Sequence, residues 1–175
     1  MLDLEKTSAQ EKEVAFYAVK DKKLLAELSE GLFSEKSALR YRNFKVIWLI
    51  SNECPDALYG QWDFFENFLK SSDNTQKFYA IHVLANLAKV DRAGKFEGLF
   101  EDFYGVLNGD ALIPACHVTY VSHKVVKAKP ELMDKVTERL LNLDNAGYKH
   151  KELVVANAVS SFSEYFDKIK DKESN

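Results

Sequence analysis

The sequence predicts an all-α protein: a right-handed α-α superhelix of four helix pairs, preceded by an N-terminal capping helix. Two observations carry this. Only 7 Gly and 3 Pro interrupt 175 residues, too little punctuation for a strand-and-turn protein. Two short segments also recur in step along the chain, which is the mark of a stacked repeat.

The first segment appears as Leu28-Ser-Glu-Gly-Leu-Phe33, Phe64-Phe-Glu-Asn-Phe-Leu69, Leu99-Phe-Glu-Asp-Phe-Tyr104 and Val136-Thr-Glu-Arg-Leu-Leu141, with starts 36, 35 and 37 residues apart. Its third column is always Glu (Glu30, Glu66, Glu101, Glu138). Its first and fifth columns are apolar, the i, i+4 face of a helix. The second segment comprises Leu49-Ile-Ser-Asn52, Val83-Leu-Ala-Asn86, Tyr120-Val-Ser-His123 and Val154-Val-Ala-Asn157. Its starts are 34, 37 and 34 residues apart.

The elements follow in order. Residues 1–21 hold the capping helix, opened by the capping box Ser8-Ala-Gln-Glu11, with Val14, Tyr17 and Ala18 turned to the first unit. The units span about 22–55, 56–91, 92–129 and 130–169, and 170–175 form a charged tail; all belong to one domain. Within them the first helices fall near 22–33, 56–70, 93–107 and 131–143. The second, inner helices fall near 35–53, 74–89, 111–128 and 147–168. Ser34, Asp73, Asp110 and Asn145 are the expected N-caps. Pro130 suits the first turn of the last first-helix, and Pro114 draws the start of the third inner helix toward itself.

On the inner helices the apolar stripe is centred on Ile50, Leu84, Val121 and Val155. The next column is small (Ser51, Ala85, Ser122, Ala156), which permits close helix approach. Two residues past the centre, about 200° around the helix, stand Asn52, Asn86, His123 and Asn157. Trp48, His82, Thr119 and Leu153 lie one turn earlier on the same face. That double column is expected to project into a concave groove.

The unit resembles a HEAT or armadillo-type helical repeat over residues 22–168. Ile47-Trp48-Leu-Ile-Ser-Asn52 is similar to the Trp-x-x-x-Asn ladder of armadillo groove helices, and His82-Val-Leu-Ala-Asn86 is similar with the aromatic changed. The resemblance implies Asn side chains that hydrogen-bond an extended peptide and Trp residues that frame pockets. Units of this length hold two helices rather than armadillo's three, so the HEAT-like form is expected.

Each candidate has a bland alternative. The Asn/His column either contacts a ligand or bridges neighbouring inner helices. Trp48 is either core or a half-exposed anchor. The run His123-Lys124-Val-Val-Lys127-Ala-Lys129, with Lys149 and Lys151 in the next unit, is either an anion patch or a solvated face. The Glu column faces water or pairs with a Lys of its own helix. Phe64, Phe65, Phe68, Phe96, Phe100, Phe103 and Tyr104 form either core or an exposed aromatic strip.

Other chemistries find little support. His117 and His123 sit on different helix faces while His82 and His150 stand alone, so no metal is expected. No Gly-x-Ser-x-Gly turn and no Cys with a base beside it suggests nucleophilic catalysis. No cofactor motif occurs, and an enzyme is not expected. Cys54 and Cys116 read as small, buried, reduced residues of a cytoplasmic protein. The charged stretch Met1–Lys12 is unlike a secretory signal, and no apolar run is long enough to span a membrane. A net charge of −3 disfavours nucleic acid.

The expected function is therefore non-enzymatic: a scaffold whose concave face engages a protein or peptide segment. One alternative is a nucleic-acid groove of the kind built by helical-repeat DNA glycosylases of alkylation repair. A second is a subunit that associates through exposed aromatics.

Overall fold

The computed structural model describes residues 4, 6–143 and 149–166, and every regular element among them is helical. The elements are α1 (Ala9–Ala18), α2 (Lys22–Glu30), α3 (Ser37–Glu53), α4 (Pro55–Leu58) and α5 (Trp62–Lys70). They continue as α6 (Asn74–Leu87), α7 (Lys95–Gly105), α8 (Leu112–Ala128), α9 (Met133–Leu141) and α10 (Lys151–Ser163). The expected first helices are thus shorter α-helices joined to 3-10 turns, such as Gly31–Phe33 after α2 and Val106–Asn108 after α7.

Helix starts follow local chemistry where a short polar side chain is available. Ser8 Oγ accepts from Glu11 N at 3.2 Å, and Glu11 Oε2 accepts from Ser8 N at 2.7 Å, completing the capping box. Asp73 caps α6 by accepting from Thr75 N at 2.7 Å. Two other expected caps are displaced. Lys36, not Ser34, precedes α3, and Ser34 Oγ instead accepts from Lys36 N within a turn. Ala111, not Asp110, precedes α8, which takes Pro114 into its first turn. Asn145 lies outside the described residues. Asp21 is a cap that the periodic pattern did not single out; its carboxylate accepts from Lys23 N and Leu24 N.

The second helices form one row, α3 against α6, α6 against α8, and α8 against α10. The first helices cover it: α2 packs on α3, α5 on α6 and α7, and α9 on α8. α1 joins the head of the row on α3. Gln10 Oε1 accepts from Arg42 at 3.1 Å and Glu11 pairs with Lys45 at 3.0 Å. Val14 is half-buried and Ala18 buried there, whereas Tyr17 points to solvent.

The apolar columns of the first helices are buried as their spacing requires. Leu28, Leu32, Phe68, Leu99, Phe103, Val136 and Leu140 are all core, and Phe64 is half-buried. The crowded aromatics are core too. Phe65, Phe96, Phe103 and Tyr104 are fully buried, and Trp62 meets Phe96 edge to face at 6.4 Å between centroids. Among the described residues the large aromatics left exposed are others: Phe16, Tyr17, Phe33 and Phe166. In the Glu column, Glu66 pairs with Lys70 of its own helix at 2.7 Å, while Glu101 reaches Arg139 of the next unit.

α3, α6 and α8 also bury their stripes, through Ile47 and Ile50, Ile81 and Leu84, Val118 and Val121. α10 departs. It buries Val154, Ala158 and Ser161 and exposes Val155 (40%) and Val159 (61%). The expected centre is off by one position because α10 packs on α8 alone in the row. Cys54 is likewise exposed beyond the end of α3, and Cys116 half-buried, so the expectation of two buried thiols is corrected.

Candidate functional site

A chain of hydrogen bonds crosses three helices of the row. Ser51 Oγ donates to the Trp48 carbonyl at 2.7 Å, and Asn86 Nδ2 donates to Ser51 Oγ at 2.9 Å. Asn86 Oδ1 accepts from Lys124 Nζ at 2.9 Å. The amide orientation is thereby fixed, since only its oxygen can accept from an ammonium. Lys124 Nζ also stands 5.6 Å from the Trp48 ring centroid, over an aromatic face that attracts a cation. Trp48, Asn86 and Lys124 therefore come from α3, α6 and α8 to one place.

Beside this brace lies a cleft of about 450 Å³, lined by Lys89, His123, Lys124, Lys127 and Ala128. It sits where α6 gives way to a 3-10 turn and α8 ends. Basic residues suit such helix ends, where unpaired carbonyls leave partial negative charge. Lys127 Nζ pairs with Glu164 at 2.6 Å, and both side chains are about half exposed (47% and 51%). The ammonium of Lys127 holds the Glu164 carboxyl below its usual pKa. His123 Nδ1 donates to the Tyr120 carbonyl at 2.8 Å, leaving Nε2 as the acceptor of the neutral ring. Burial, reinforced by Lys127 and Lys124, lowers the His123 pKa and keeps the ring neutral. The arrangement offers cations on a partly dry surface.

The double column does not project into an open groove as a set. Trp48 (8% exposed), His82 (2%), Asn86 (0%) and Thr119 (0%) are buried, while Asn52, His123 and Asn157 are half-buried. An angle of 200° from the core centre points to solvent only on a helix with one covered face. α6 is packed between α3 and α8 and against α5, so Phe78 through Leu87 are buried without a break.

Most members of the double column have hydrogen-bond partners. His82 Nε2 lies 2.9 Å from His117 Nδ1, Thr119 Oγ1 donates to the Ala115 and Cys116 carbonyls, and Asn157 Nδ2 donates to the Cys116 carbonyl at 3.2 Å. Asn52 Nδ2 donates to Glu53. His82 and His150 are not isolated after all: the first meets His117 and the second pairs with Glu152 at 3.1 Å. Among the described residues no group of three or more His, Cys, Asp or Glu could hold a metal ion.

The anticipated anion patch divides. Lys124 and Lys127 line the cleft. Lys129 is buried elsewhere, paired with Asp91 at 3.2 Å and Glu97 at 3.0 Å, because its chain turns back at Pro130. Lys149 and Lys151 flank the opposite, N-terminal end of α10 and line no part of the cleft. Lys89 and Glu164 were not anticipated. The usable signal was position, since Lys89 and Lys127 each occupy the closing turn of an inner helix.

No helix among the described residues is long and apolar enough to cross a membrane. The chain matches no family model, no curated protein and no solved structure.

Proposed function

We propose that this protein is a non-enzymatic binding module: a short right-handed HEAT-like superhelix whose cleft at the ends of α6 and α8 holds an acidic segment of a partner protein. The observation that carries this reading is the convergence of Lys89, Lys124 and Lys127 from two units on one cleft. Lys124 is held in place by Asn86 and Trp48, so ordering it for a ligand costs little side-chain entropy. Lysines act as point charges that suit scattered carboxylates. The overall charge of −3 favours a local acidic epitope over a long polyanion.

The test is fluorescence anisotropy with a labelled Glu-rich peptide at low salt. Binding should weaken about tenfold on Lys89→Glu and again on Lys127→Glu, and fall with added salt. Absence of binding, or equal affinity in both variants, would overturn the reading. So would duplex DNA that binds the same cleft more tightly than the peptide.

A further inference from the structure

A second cleft lies at the head of the helix row, between α1 and α3, with a volume of about 610 Å³. It falls within the range of small-ligand sites, about 300–1,000 Å³. The helices run side by side, pinned through Gln10 to Arg42 and through Glu11 to Lys45. Beyond the pins the facing side chains are Ala15 on α1, Val19 just past its end, and Leu49 and Ile50 on α3. Ala15 is too small to fill the space between the two helices, and the floor is hydrocarbon.

The rim of this floor is charged in a directed way. Lys12 and Phe16 share one stripe of α1, and Lys20 lies in the turn just past its end. Phe16 lines the cleft although it is 58% exposed. Its ring is held between Tyr17, edge-on at 5.6 Å, and the Lys20 ammonium at 4.0 Å from the centroid. The cleft's acid, Glu53, lies with Cys54 at the end of α3 and accepts from Asn52. An apolar floor and two ammoniums along one edge suit a ligand with a hydrocarbon body and an anionic head, which the Glu53 carboxylate would repel from its own end of the cleft.

We infer that the α1–α3 cleft binds a long-chain carboxylate, its chain along Ala15, Val19, Leu49 and Ile50 and its head on the Lys12–Lys20 edge. This site is separate from the basic cleft at α6 and α8, so either can fail without the other. Cys54 serves as a built-in reporter, since its exposed thiol lines the cleft. Cys116 is an internal control: it is half-buried on α8, where burial raises its pKa.

The experiment follows maleimide labelling of both thiols in the intact protein by mass spectrometry, with dodecanoate added below its aggregation threshold. Dodecanoate should slow labelling of Cys54 at least fivefold and leave Cys116 unchanged. The Lys12→Glu/Lys20→Glu double variant should need about tenfold more dodecanoate for the same protection, in line with lost charge complementarity. An unchanged Cys54 rate would overturn the inference. Equal protection by 1-dodecanol would overturn it too, because the head would then play no part. Faster Cys116 labelling would show detergent unfolding and count against the site.

Discussion

His82 Nε2 and His117 Nδ1 lie 2.9 Å apart, joining α6 to α8 across 35 residues of sequence. One ring nitrogen must donate and the other accept, so the contact is lost when both rings are protonated. Burial lowers the pKa of His82 well below its ordinary value and that of His117 to about 4. In the unfolded chain both return to the ordinary 6.5. Between those values the unfolded state takes up protons that the folded state refuses, so stability falls as pH drops. Urea unfolding at pH 7 and pH 4.5 should differ by roughly 2 kcal/mol or more. His117→Gln should flatten that dependence; an equally steep fall in the variant would locate it elsewhere.

Asp91 joins two units and should be among the costliest single polar residues to remove. Its carboxylate accepts from Tyr59 at 2.7 Å, Lys95 N at 3.0 Å and Phe96 N at 2.9 Å, and pairs with Lys129. Burial alone would raise its pKa, but these donors hold it below the usual carboxylate value. Asp91→Ala leaves Lys129 poorly compensated and uncaps α7, for a cost of about 3–5 kcal/mol by denaturant titration. The double variant Asp91→Ala/Lys129→Ala should lose less than the sum of the two singles.

Asn86 separates bridging from ligand contact. Because it is fully buried between Ser51 and Lys124, Asn86→Ala should lower stability by about 1–3 kcal/mol without any partner present. His123→Ala, at a half-buried position, should cost less. Thermal unfolding of the two variants decides the order.

The register of α10 can be read from a pair of substitutions. Val154→Ala removes a fully buried side chain and should cost about 1–2 kcal/mol. Val159→Ala, at a 61% exposed position, should stay within about 0.5 kcal/mol. The reverse ranking would restore the register centred on Val155.

Gly94 stands at φ 70°, in the left-handed region, just before α7. Gly94→Ala should destabilise by about 1–2 kcal/mol, measurable as a lower urea midpoint with an unchanged slope.

Much of the helical layout was legible because helix formation and burial of one face are local and periodic. Leu99 and Phe103, or Ile81 and Leu84, are buried for reasons visible in four residues of spacing. The capping box at Ser8 and the cap at Asp73 are equally local. Ser34 and Asp110 misled because a short polar side chain near a helix start can serve a turn as readily as a cap. For the basic cleft, Lys124 and Lys127 were legible from their run. Lys89 was not, since its relation to them depends on how α6 stands against α8.

The sequence by itself determined that the chain is helical and which face each first helix buries. Tertiary structure alone decided the fate of the opposite faces. A mid-row helix such as α6 is covered on both sides, so Trp48, Asn86 and Lys124 become a brace where angular position alone predicts a groove. A terminal helix such as α10 is covered on one, so Val155 and Val159 reach solvent. Periodicity reports where a side chain points from its own axis; only the neighbouring helix decides what it meets there.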